Sequence, residues 1–166
     1  MKEFNFTTAF AMRCDAEQYA SVKDKLKEMG YNVQPFDERV YLCTNYFNQN
    51  KRVEMLTNPI GQPLVIETFN RDLCLALAAM TDRKKPIIGE WVVAVKEGWD
   101  ITVGKLYKVV DGDDDDKDGT DNHYAHIIDD AGDLHHFTRN FFKEHFCKAT
   151  VEELIKHFTN EEKQNK

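Results

Sequence analysis

A chain of 166 residues with 42% hydrophobic and 31% charged residues is ordinary globular material, long enough for one domain or for two small ones that lean on each other. Its net charge of −7 is concentrated, because Asp111 to Asp121 holds seven Asp and one Lys, so this loop carries −6 and leaves the remainder near neutrality. That distribution argues against general nucleic-acid binding, which needs a contiguous basic face, and no apolar run approaches the ~18 residues of a membrane span.

Met1 to Phe6 lacks the apolar core of a signal peptide, so the expected compartment is the cytosol. Cys14, Cys43, Cys74 and Cys147 are widely spaced with no Cys-x-x-Cys pair, and they read as reduced thiols, mostly buried.

Phe4, Phe6, Thr8, Phe10 and Met12 alternate with smaller or polar residues, the period of a strand. A helix follows, with Asp15 as N-cap, Gln18 three residues on, a stripe of Tyr19, Val22, Leu26 and Met29, and Gly30 as the left-handed stop. Tyr31 to Val33 begins a second strand. Arg39 to Tyr46 and Arg52 to Leu56 form a hairpin through Asn48-Gln49-Asn50, and Leu64 to Ile66 makes a short strand after an irregular proline-containing turn. A second helix from Thr68 or Asn70 carries Leu73, Leu77 and Met80. The first half, residues 1–82, therefore reads as a β-α-β-β-β-α unit, and Arg83-Lys84-Lys85-Pro86 as a linker.

From residue 87 to 149 the pattern is of short strands: Glu90 to Lys96, Leu106 to Val110, Tyr124 to Ile128 and Asp133 to Phe137, the last two joined by a type I turn at Asp129-Asp130-Ala131-Gly132. Phe141, Phe142, His145 and Phe146 fall at helical spacing. Thr150 with Glu153 then forms a capping box that opens a C-terminal helix containing Leu154, Ile155 and Phe158, expected to cover the open end of the barrel or the seam with the first half.

Gly89-x-Trp91, the run Ile101-Thr102-Val103-Gly104-Lys105-x-Tyr107-x-Val109, Ile128-Asp129-Asp130-x-Gly132 and Phe141-Phe142 together resemble the short SH3-like barrels of phage, prophage and bacterial proteins, over about a third of the chain. The resemblance implies an α+β chain in which the first unit is followed by a small SH3-like antiparallel barrel and a C-terminal helix. Such barrels share no activity, so it implies a fold and no reaction.

Three groups invite a functional reading. Asp114-x-Asp116-x-Asp118-Gly119 matches the first half of a calcium loop, but Ala125 stands where an EF-hand places its bidentate Glu, and strands rather than helices flank the segment; the plain alternative is a solvated hairpin loop. His123, His126, His135 and His136 surround one hairpin. If Ile127 pairs with His135, then His126 faces His136, and the two imidazoles with a nearby Asp are candidate zinc ligands. Trp99, between Gly98 and Asp100, sits where SH3-like barrels present aromatics to ligands, or folds back over its own barrel. No glycine-rich phosphate loop, nucleophile elbow or paired-carboxylate motif is written, and no cofactor is called for.

The expectation is a non-enzymatic accessory protein that contacts a partner with a basic surface through Trp99 and the acidic loop (Asp113, Asp114, Asp115, Asp116 and Asp118). The rival is a metal-dependent enzyme or divalent-cation binder using His126, His136 and carboxylates of that loop.

Overall fold

The structure, a computed structural model, describes residues 10–36, 38, 41–47, 50–58, 64–80, 86–111 and 124–164. It is a mixed α+β chain in two compact units, one of residues 1–80 with 154–166 and one of residues 81–153. No helix among the described residues is long and apolar enough to cross a membrane.

In the first unit, β1 (Phe10–Arg13) runs into α1 (Ala16–Glu28), followed by β2 (Asn32–Val33), β3 (Tyr41–Phe47), β4 (Asn50–Leu56), β5 (Val65–Ile66) and α2 (Arg71–Ala79). The sheet order is β2-β4-β3-β1-β5, with β1 antiparallel to β3 and parallel to β5. The capping box at the start of α1 is present in both halves: Gln18 N donates to Asp15 Oδ1 at 2.8 Å and Asp15 N to Gln18 Oε1 at 2.9 Å. At its other end Gly30 adopts φ 92°, which lets Tyr31 N reach Leu26 O at 3.0 Å and Gly30 N reach Lys27 O at 2.9 Å, the two bonds of a Schellman stop. Asn70 caps α2 in the same manner as Asp15, accepting from Leu73 N at 2.8 Å. α1 and α2 pack together, and Tyr19, Val22, Leu26, Leu73, Cys74 and Leu77 are all buried. The stretch Phe4 to Ala9 expected to begin the first strand lies outside the described residues.

The second unit contains β6 (Trp91–Ala94), β7 (Leu106–Lys108), β8 (Ala125–Ile128), β9 (Leu134–Phe137), α3 (Arg139–His145) and β10 (Phe146–Lys148). β10-β6-β7 form one sheet and β8-β9 another, and neither closes into a barrel. They meet through the bridge Val109↔Ile127 and the bond from Val110 N to His126 O, 3.0 Å. Between them lies an aromatic and aliphatic core of Val92, Tyr107, Val109, Ile127, Phe137, Phe142 and Phe146. Phe137 stacks on Phe141, with ring centroids 5.3 Å apart and planes 10° off parallel, and meets Phe146 at 5.2 Å.

Phe146 differs from the sequence expectation. It is the C-cap of α3 and also the first residue of β10, pairing with Ala94 while Lys148 pairs with Val92. α4 (Val151–Gln164) opens on the expected box, Thr150 N donating to Glu153 Oε2 at 2.8 Å and Glu153 N to Thr150 Oγ1 at 3.2 Å. From Leu154 onward this helix clusters with the first unit.

Candidate interaction surface

Between β6 and β7 the chain makes two tight turns. Gly98 bridges Ile101 around Trp99-Asp100, with Asp100 in the left-handed region at φ 52°. A Cβ at Gly98 would stand 3.3 Å from Ile101 Cδ1 and 3.5 Å from Phe141 Cζ, so a side chain there would press on the core beneath the turn. Gly104, at φ 83°, then returns the chain so that Gly104 N donates to Ala94 O at 2.8 Å and Ala94 N to Lys105 O at 3.1 Å.

Both turns are fastened to the β8–β9 turn by Asp130. Its backbone N–H donates to Asp100 O at 2.8 Å, and its carboxylate accepts from Thr102 Oγ1 at 2.6 Å, from the Tyr107 hydroxyl at 3.0 Å, and from Lys105 Nζ. Tyr107, 4% exposed, completes the ring by accepting from Thr102 N at 2.8 Å. The Lys105 ammonium, and then the Thr102 hydroxyl, hold the Asp130 carboxyl down to about 2. Burial, and then the Asp130 carboxylate, push the Tyr107 phenol up. Asp129 organises the same turn, taking Ala131 N and Asp133 N at 3.0 Å each, and these backbone donors, Asp133 first, lower its carboxyl as well.

Thr102, Gly104, Lys105, Tyr107 and Asp130, five of the residues that carried the resemblance, are therefore joined in one structural latch. Trp99 takes no part in it. Its ring is 87% exposed at the tip of a turn fixed by other groups, and the exposed apolar side chains of Val103 and Ile128 lie one and two residues from Thr102 and Asp130.

The histidines divide. His123 lies outside the described residues. His135 stacks on Phe137 at 4.5 Å and places Nδ1 3.4 Å from Asp129 Oδ2, so it belongs to the core and the turn. His126 and His136 do face each other, because the register is Ile127↔His135 and His126↔His136, with ring centroids 4.7 Å apart. No group of three or more His, Cys, Asp or Glu able to hold a metal ion occurs among the described residues. Asp113, Asp114, Asp115, Asp116 and Asp118 lie outside them; the stems of their loop, Asp111 and Tyr124, are described.

Cys14, Cys43 and Cys74 are buried, and burial pushes their thiols up to about 11, 12 and 12, so none is a ready thiolate. Cys147 is exposed, on β10.

Two features escaped the sequence reading. Glu90, 2% exposed, accepts from Lys148 Nζ at 3.0 Å and from Ile87 N at 3.2 Å, a long-range ion pair that only the β10–β6 pairing creates. In the first unit an open cleft of about 530 Å³ lies beyond the carboxyl ends of β1 and β5, lined by Arg13, Cys14, Gln18, Phe36, Glu67 and Phe69. The Tyr41 hydroxyl reaches both Glu67 oxygens, at 2.9 and 2.8 Å, and Arg13 lies 3.7 Å from the same carboxylate. Strand ends far apart in sequence build this cleft, so no local motif announces it.

Taken together, the described residues make a two-unit α+β protein with a latched double turn presenting one tryptophan. Comparison with protein-family models, curated proteins and solved structures finds no match.

Proposed function

We propose that the chain is a non-enzymatic accessory protein whose second unit, with an SH3-like strand order, binds a protein segment of basic character through Trp99 and the acidic loop. Support for the strand order comes from the neighbours: β10-β6-β7 by hydrogen bonding, β7 to β8 by the Val109↔Ile127 bridge, and β8 to β9 as a hairpin, with α3 just before the last strand. The observation that carries the reading is the exposure of Trp99 on a turn that needs nothing from its ring. A large aromatic held in water by a rigid backbone loses little conformational freedom on binding and gains most from being covered.

The strand directions set the spacing of a ligand. The Trp99 turn and the Asp129–Gly132 turn share one end of the meander, and the acidic-loop stems Asp111 and Tyr124 lie at the other. Four residues of β8 at about 3.3 Å each separate these ends by roughly 13 Å, which four or five extended residues span. The expected ligand therefore carries an apolar side chain for Trp99 and Lys or Arg four or five residues away, with affinity that falls as salt rises.

Selection from a random displayed-peptide library against the whole protein tests this. The expected result is enrichment of peptides with that spacing, lost on Trp99→Ala and weakened when Asp113, Asp114, Asp115, Asp116 and Asp118 are all changed to Asn. No enrichment, or peptides held equally by both variants, would overturn it.

A further inference from the structure

We propose that His126 and His136 form a two-imidazole site for a borderline divalent transition-metal ion, of the class of zinc, nickel or copper. The argument begins with the strand ladder. Asp129 N donates to Asp133 O at 3.0 Å, so Asp129 and Asp133 are a hydrogen-bonded pair. Such pairs alternate along an antiparallel ladder, which makes Ile127↔His135 the next one and leaves His126↔His136 on the intervening position, where Cα atoms approach most closely and side chains stand side by side. Ile127 is fully buried, so its neighbour His126 is turned to the outer face, where it is half-buried and His136 exposed.

The separation suits a shared ion. With metal–nitrogen bonds of about 2.1 Å and ring nitrogens about 1.1 Å from their centroids, each centroid lies about 3.2 Å from the ion, and angles of about 90° to 109° at the metal put the two centroids about 4.5 to 5.2 Å apart. The observed separation is 4.7 Å, with the rings at 88° to each other.

Two neutral nitrogen ligands select borderline cations over calcium and magnesium, which prefer oxygen. No group of three such ligands occurs among the described residues, so the two imidazoles are the part of the site that the fold positions. This site is independent of the Trp99 surface.

The test is titration of the full-length, metal-free protein with zinc, nickel, calcium and magnesium chlorides at pH 7.5, following binding by competition with a chromophoric chelator. One zinc or nickel ion should bind per chain, calcium and magnesium should not compete at equal concentration, and His126→Gln or His136→Gln should each weaken binding by about tenfold or more. His157→Gln, on α4, should leave it unchanged. Both substituted positions face outward, and far-ultraviolet circular dichroism of each variant checks that it folds. Absence of one-to-one binding, binding that survives both single substitutions, or equal competition by magnesium would each overturn the assignment.

Discussion

Replacing Tyr107 by Phe removes one hydroxyl from the centre of the latch and leaves the ring in the core, where it meets Phe146 edge-on at 6.0 Å. The hydroxyl donates to Asp130 at 3.0 Å and accepts from Thr102 N at 2.8 Å. A hydrogen bond to an ionised acceptor is worth about 1.5–3 kcal/mol, and Thr102 is exposed enough for water to replace the second bond, so the expected cost is about 1.5–2 kcal/mol. For a unit of this size that is a fall in melting temperature of roughly 6–16 °C. Denaturation by urea, followed by tryptophan fluorescence, measures it. In an Asp130→Asn background the cost should shrink, because the charge that strengthens the bond is gone. The pH dependence has a definite sign. Asp130 has its carboxyl lowered from 3.8 to about 2 on folding, so its ionised form stabilises the native state fully above about pH 4 and progressively less as pH falls toward 2. The penalty for Tyr107→Phe should be flat from pH 8 to 5 and diminish below 4. A variant within about 0.5 kcal/mol of wild type, or a penalty unchanged by Asp130→Asn, would refute the latch.

Gly104→Ala should cost about 1 kcal/mol in the same urea assay, since φ is 83° and nothing lies within 4 Å of the added methyl, making the cost one of backbone alone. A chain stopped after Phe137 loses Phe142 and Phe146 from the core and β10 from the edge of β6, so well-dispersed amide resonances from its second unit would contradict the packing described above. Replacing Asp113–Asp118 with Gly and Ser should raise the melting temperature slightly at low ionic strength, by an amount that fades as salt screens repulsion over about 10 Å. Calcium and magnesium should affect the wild type alike, and a large calcium-selective rise in melting temperature would instead establish a calcium loop.

Elements whose stabilising contacts are local were legible in the sequence. The capping boxes at Asp15/Gln18 and Thr150/Glu153 and the left-handed Gly30 each close over three or four residues, and all are found where the pattern put them. The facing of His126 and His136 was legible only on the condition that Ile127 pairs with His135, a condition the observed register meets. What was hidden depends on distant pairing. β10 is three residues long and begins on the residue that ends α3, so the Phe141 to Phe146 spacing carries the helical period while Phe146 already belongs to a strand. The Glu90–Lys148 pair spans 58 residues, and the cleft at Arg13 and Glu67 joins the ends of β1 and β5; neither has a short-range signature.

The Thr-Val-Gly-Lys-x-Tyr run was the most specific motif in the chain, and its contacts explain why it is tied to architecture. Thr102, Lys105 and Tyr107 all spend their polar groups on one carboxylate, and Gly104 supplies a backbone angle that other residues resist. These contacts hold the two turns to the β8–β9 turn, which is a structural role for the motif. The side chains that take no part in the latch are Trp99, Val103 and Ile128, exposed at the latched end, while the described stems of the acidic loop, Asp111 and Tyr124, stand at the opposite end of β7 and β8. An approaching basic segment would be steered by the field of one end and be anchored by the ring at the other, so salt should act chiefly on the rate of association and Trp99 chiefly on the rate of dissociation.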